Sequence, residues 1–312
     1  DPDIGGFSNP ALSPGCSPAT VISLLHIFEW ERVNAGIAAR AGIWVYLVVL
    51  VATHGGISDP VKLGVALLSV FAIMVPAVTR WAAYWLIVTL LLAADLLYSY
   101  SHAANHYYLT IYTLAILALE TRRRARGEEL AFNLPRALLI LVFGLAAVQK
   151  AISPYFLSGR LMADYVLTGG SLYWPLTWTY PGHEGSVEAF EQQFDLISGD
   201  PGLVGTQLPI ELPFAGFSVL VQGAAVAILL FELGVFVALA WNRAFRHTVM
   251  PVLMLLFLWG TFLLRPEFSF FALLAILFML ARPGLNLRWT ASFVGSIVVF
   301  LSLEVSEMTW FF

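Results

Sequence analysis

Long apolar runs recur along the chain, from Ala41 to Thr53, Trp81 to Ala94 and Phe214 to Trp241, with few charges inside them. Runs of this kind are what hydrocarbon requires of a chain that crosses it. Composition agrees: of 312 residues 59% are hydrophobic and 12% charged, with mean hydropathy +0.81. A soluble domain carries about a quarter charged residues, so this chain has too little charge to cover a water-facing surface of its size. An ordinary cytosolic enzyme is excluded. The predicted class is all-α, a polytopic integral membrane helical bundle whose first partner is the lipid bilayer.

Nine stretches of helical length stand out, at roughly 37–53, 61–78, 81–99, 106–120, 134–152, 213–241, 249–264, 268–282 and 290–311. They divide the chain into an N-terminal tail with an interfacial helix (1–36), five spans (37–152), a long extracytoplasmic loop (153–212) and four further spans (213–312). The first eighteen residues are rich in Pro, Gly and Ser and read as an irregular tail. Val21 to Trp30 mixes apolar residues with His26 and Glu29, the pattern of a helix lying at the interface. The single Cys16 excludes an internal disulfide and a cysteine-based metal cluster, and no metal site is expected. A net charge of −4 gives no case for nucleic acid.

Orientation follows from the basic residues. With the N-terminus inside, the cytoplasmic side receives Arg32, Arg40, Arg80, Arg122, Arg123, Arg124, Arg126, Arg136, Arg243, Arg246, Arg282 and Arg288. These are twelve of the sixteen Lys and Arg, which places the C-terminus outside. The run Thr121 to Glu129 then reads as a cytoplasmic turn. The long outer loop carries Tyr173, Trp174, Trp178 and Tyr180, rings suited to the headgroup boundary, and then the acidic stretch from Glu184 to Asp200. A loop of this length is a candidate lid. The expected location is a bacterial inner membrane.

Ionisable groups inside spans carry the functional signal, because each is costly unless paired or hydrated. At a rise of about 1.5 Å per residue, Lys150 lies about 24 Å above the inner end of its span, His106 about 21 Å, Asp95 about 22 Å and Glu304 about 24 Å. The four share an outer layer. Glu232 sits deeper, about 16 Å above Arg243. Bland readings stand beside each. Lys150 can snorkel to the headgroups, His106 can bond a carbonyl at a helix end, and the carboxylates can serve only as partners that make a buried lysine tolerable. A lysine held out of water gives an amine able to take a proton, a role arginine cannot fill.

The segment Phe143-Gly-Leu-Ala-Ala-Val-Gln149-Lys150-Ala-Ile-Ser-Pro-Tyr155-Phe-Leu-Ser-Gly159 resembles the lysine-bearing segment of the vitamin K-dependent gamma-carboxylases and their bacterial relatives with the horizontally transferred transmembrane (HTTM) domain. Asn105-His106-Tyr107-Tyr108-Leu109 resembles the family's Asn-His-x-Tyr-Leu element in the preceding span, and Phe231-Glu232-Leu-Gly its acidic residue after the long loop. Phe268-Ser-Phe-Phe271 loosely resembles its aromatic-rich later segment. The resemblance covers about residues 20–285. It implies a quinone or vitamin K-like hydroquinone as cofactor, Lys150 as general base and His106 as its partner at the quinone. Tyr107 and Tyr155, within the same motifs, are the candidate cofactor contacts, and Asp95, Glu304, Glu232 and Gln149 the supporting polar groups.

Two functional expectations follow. One is a quinone-handling membrane enzyme performing carboxylase- or oxygenase-like chemistry with Lys150 as base. The other is a non-catalytic subunit of a larger membrane complex, whose aromatic and small-residue helix surfaces bind lipid, quinone or partner helices. A transporter is disfavoured, since no Gly or Pro interruption repeats between two halves.

Overall fold

Helix 268–281 has no polar stripe at all, and such a helix must be enclosed on every side. In the computed structural model it is the axis of the bundle, with all but two of its residues buried. The structure describes residues 38–53, 57–98, 105–127, 133–167, 216–262 and 267–310. The predicted N-terminal tail, its interfacial helix and Cys16 lie outside the described residues, as does the loop from 168 to 215.

Among the described residues there is no strand, and a helix occupies each of the nine apolar stretches. In chain order these are α1 (Ala38–Thr53), α2 (Asp59–Met74), α3 (Ala82–Tyr98), α4 (Asn105–Ala125), α5 (Leu134–Ile152), α6 (Pro154–Leu157), α7 (Arg160–Leu167), α8 (Phe217–Ala240), α9 (Asn242–Arg246), α10 (Val249–Phe262), α11 (Phe268–Ala281) and α12 (Leu287–Trp310). The helices α5, α8 and, over Leu287–Ser306, α12 are long and apolar enough to cross a membrane. At about 1.5 Å per residue, the fourteen-residue α10 and α11 reach only about 21 Å, short of a hydrocarbon core of about 30 Å. Large apolar side chains face outward, Leu97 at 86% exposure and Met74 at 77%, as lipid contact permits.

Three boundaries differ from expectation for identifiable reasons. The second stretch leaves the α-helix at Met74, because Pro76 disfavours helical geometry at Val75, and continues as a 3-10 turn, Pro76–Arg80. The basic run after Thr121 is not simply a turn: α4 continues to Ala125, with Arg122, Arg123 and Arg124 in its last turn. Arginine is a good helix former and its charge suits the negative end of the helix dipole; Gly127, at φ 68°, then ends the segment. The stretch expected to be loop from residue 153 also begins as structure, in α6 and α7.

Packing places α11 against α4, α5, α10 and α12, and α8 against α5, α6, α7, α9 and α10. Two apolar clusters result. The main core contains the C-terminal part of α8 through Val235 and Leu239. A smaller one joins Phe156, Met162 and Ala163 of α6 and α7 to Phe217, Val221 and Ala225 of α8. One helix therefore belongs to both cores. The buried stripe of α8 runs Phe217, Val221, Ala225, Glu232, Val235, Leu239, and its one charged member stands where the clusters part.

Candidate functional site

The inward stripe of α5 comprises Leu138, Leu139, Phe143 and Ala147. Lys150 follows Ala147 by three residues, so helical spacing carries it onto the same face. Pro154 stops α5 just beyond, and the Ser153 side chain accepts a 3.2 Å bond from the Phe156 amide to start α6. The lysine is thus held in the last turn, where a cation suits the helix dipole.

Its partner is Glu232. Lys150 Nζ donates to Oε1 at 2.7 Å and to Oε2 at 2.8 Å, tying α5 to α8. The Glu232 side chain is 4% exposed and the Lys150 side chain 26%. Lys150 Nζ also lies 5.7 Å from the centre of the Phe156 ring, within cation–π range. The depth estimate that separated lysine and glutamate is corrected: the flexible four-carbon stem spans the offset between their backbone positions.

The pair faces a cavity of about 260 Å³, which extends to Gln149, Ser153 and Leu274. An adjoining lobe of about 140 Å³ extends to Met162, Ile228 and Thr261. Both lobes touch Lys150, Glu232 and Glu267 and are walled by Phe156, Phe257 and Phe270. Phe257 is fixed by an edge contact with Phe143, ring centres 4.7 Å apart. The wall is apolar and the chemistry is gathered at one place.

Glu267 is the residue that sequence reasoning missed. It reads as a connector between two apolar runs, yet it is the N-cap position of α11 and its carbonyl accepts the Phe271 amide at 3.1 Å. The available signal was its place directly before a helix that is apolar but for Ser269, where a cap residue is fixed by that helix's burial.

The other predicted residues do not line this cavity. Asp95 is buried between α2 and α4. Its Oδ1 accepts the Ser58 amide at 3.1 Å and the Ser58 hydroxyl at 2.5 Å, and its Oδ2 accepts the Tyr107 hydroxyl at 3.1 Å. That phenol is also 3.1 Å from the Leu92 carbonyl, so one proton is shared between two acceptors. Glu304 accepts the Ser269 amide at 3.1 Å and so caps α11 from α12. His106 stands in the first turn of α4, where its carbonyl accepts the Thr110 hydroxyl at 2.7 Å; Thr110 in turn meets the Tyr46 hydroxyl at 2.7 Å. Tyr155 is 47% exposed on α6. The expected four-residue layer therefore resolves into separate sites, with Lys150, Gln149 and Glu232 brought together and Asp95 joined to Tyr107.

Among the described residues, no group of three or more His, Cys, Asp or Glu is placed to hold a metal ion. No protein-family model, curated protein or solved structure matches this chain.

Proposed function

We propose that the chain is a quinone-handling membrane enzyme in which Lys150 is the general base and Glu232 its proton partner. The observation that carries this reading is the Lys150–Glu232 pair opening on an aromatic-walled cavity. Its volume of about 260 Å³ is near the lower end of small-molecule pockets, about 300 Å³. That suits a planar head group of one or two rings between Phe156, Phe257 and Phe270, with Lys150, Gln149 and Glu267 at its polar edge. When bound, a hydroquinone supplies an acidic hydroxyl and two reducing electrons.

The protein's part is proton handling. Transfer of a proton from Lys150 Nζ to Glu232 along the 2.7 Å bond frees the amine lone pair. Nζ then takes the proton of a hydroxyl in the cavity, and the enclosing rings keep water from competing. The resemblance to the gamma-carboxylase and HTTM proteins supports the same assignment, although His106 and Tyr107 act away from this cavity in the present reading. Nine spans, an N-terminus inside and C-terminus outside, and residence in a bacterial inner membrane complete the proposal. They are supported by a helix in each of the nine apolar stretches and by the arginines gathered at one end.

Replacement of Lys150 by Arg separates chemistry from architecture. Arginine preserves the charge opposite Glu232 but does not release its proton near neutrality. Purified protein incubated with a reduced naphthoquinone under oxygen is expected to consume the quinol, and Lys150→Arg to lose at least about a hundredfold of that rate, the scale of general-base catalysis, with unchanged thermal stability. Equal rates in the two proteins overturn the base assignment.

A second reading draws on the closure of the same pair. With both carboxylate oxygens engaged, it serves equally as a clasp between α5 and α8 in a non-catalytic subunit that binds lipid or partner helices. Charge exchange, Lys150→Glu with Glu232→Lys, distinguishes the two: a clasp survives exchange, whereas a base placed at the cavity does not.

A further inference from the structure

Two glutamates stand at the start of α11, and only one of them caps it through its side chain. Glu304, reaching across from α12, accepts the Ser269 amide at 3.1 Å. Glu267 occupies the N-cap position itself, yet its side chain makes no capping bond to the first turn. Its backbone carbonyl does the helical work, accepting the Phe271 amide at 3.1 Å. The residue is half-buried and borders both lobes of the cavity. The positive end of the α11 dipole suits a negative charge there.

Lys150, Glu232 and Glu267, from α5, α8 and the start of α11, are common to the two lobes and so mark the waist between them. They are not equivalent toward a ligand. Both oxygens of Glu232 are held by Lys150 Nζ, at 2.7 and 2.8 Å, so a ligand reaches Glu232 through the lysine. Glu267 brings a second anion to the same waist. A carboxylate has about four acceptor sites and no donor, so Glu267 accepts from a ligand alongside any protein donor it also meets. What it cannot do is donate. A ligand oxygen placed against it has to carry a hydrogen, and the neighbouring rings Phe156, Phe257 and Phe270 offer that oxygen no substitute donor.

We propose that Glu267 makes the cavity selective for the reduced, dihydroxy form of its ring ligand over the oxidised, dicarbonyl form. The inference rests on the quinone reading above and adds to it the redox state that the site prefers. A hydroquinone carries two hydroxyls: one faces Lys150, the other donates to Glu267. In the quinone both oxygens are acceptors only. Lys150 still donates to one of them, but the other meets the Glu267 carboxylate with no hydrogen between them, and sites built to bind a hydroxyl reject analogues that lack it. The same residue retains the substrate and expels a product that has lost its hydroxyls.

Calorimetric titration of the full chain in detergent, with naphthohydroquinone and separately with naphthoquinone, tests this; exclusion of oxygen keeps each ligand in its own redox state. The wild-type protein is expected to bind the hydroquinone at least about tenfold more tightly, the scale of one hydrogen bond to a charged group. In Glu267→Gln the new amide donates to a carbonyl, so the ratio should fall toward one, with hydroquinone binding weakened and quinone binding strengthened. A gain for the quinone cannot come from misfolding. Glu304→Gln removes the same charge from the same helix end, outside the cavity lining, and is expected to keep the wild-type ratio. Equal wild-type affinity for the two forms, a ratio that survives Glu267→Gln, or an equal collapse in Glu304→Gln overturns the role of Glu267 while leaving a quinone site in place. Failure of the wild-type protein to bind either form overturns the quinone reading, and the selectivity with it.

Discussion

Two carboxylates in this bundle are equally hidden, Asp95 and Glu232, each 3% exposed, yet they sit in opposite chemical settings. Asp95 is met by an amide, a serine hydroxyl and a phenol, which together tie the start of α2 to the end of α3 and the start of α4. Glu232 is met by an ammonium group whose other side faces a cavity. Burial alone does not mark a working group. Among the described residues the donors to Asp95 are neutral and form a strap, whereas the cation beside Glu232 also borders an open space.

The contrast is broken most severely from the lysine side. Lys150→Met leaves the Glu232 carboxylate buried and unpaired, an arrangement that costs about 3–5 kcal/mol. Glu232→Gln is expected to cost less, because the partly exposed lysine can swing toward the cavity. Thermal or denaturant unfolding in detergent ranks the two, and a larger loss for Glu232→Gln contradicts the proposed asymmetry. Next in size is Gly159→Ala. Gly159 has φ +78°, and an added Cβ would lie 2.6 Å from the Gln222 nitrogen and 2.8 Å from the Val221 carbonyl carbon. Left-handed strain of about 1–2 kcal/mol adds to overpacking of about 1–3 kcal/mol. The α6–α7 wall of the cavity should lift from α8 while the Asp95 strap stays intact. Protease sensitivity confined to that segment is the expected signature, and uniform sensitivity throughout the chain counts against it.

What could be read from the sequence divides along the same line. Helix positions were legible because apolar runs in α5, α8 and α12 need no partner to be recognised, and the isolation of Lys150 among arginines singled it out. Pairing was not legible from depth. Counting residues along each helix gives Asp95, Glu304 and Lys150 one expected level, but level says nothing of azimuth. The information lay instead in the stripes: Lys150 continues Phe143 and Ala147, and Glu232 interrupts Ala225 and Val235. Two stripes facing each other bring their charged members together. Glu267 stayed hidden because its position depends on the burial of α11, a property of the assembled core.

At the strap, Asp95→Asn is expected to cost about 1.5–3 kcal/mol, the range for hydrogen bonds to a charged group. One oxygen remains to accept, and the new amide meets donors in place of an acceptor. Because Asp95 lies outside the Lys150 cavity, the loss should appear in unfolding while quinol consumption by the folded fraction stays at the wild-type level. A selective loss of turnover at unchanged stability would transfer Asp95 from architecture to chemistry and erase the distinction between the two carboxylates.

The smallest effect tests whether a third acid belongs with the strap or with the pair. Glu304 accepts one amide, that of Ser269 in the first turn of α11, so its charge acts on the positive end of the helix dipole. Glu304→Gln keeps an oxygen for that amide and removes only the charge, a change of about 0.3–1 kcal/mol. The largely buried α11 adjoins both the cavity wall, through Phe270 and Leu274, and the main core. A small fall in melting temperature with unaltered naphthoquinol binding assigns Glu304 to helix capping. A change in binding without a change in melting would mean that the α11 terminus, with Glu267 at its cap, responds to the charge on Glu304 and that the cavity extends its influence to α12.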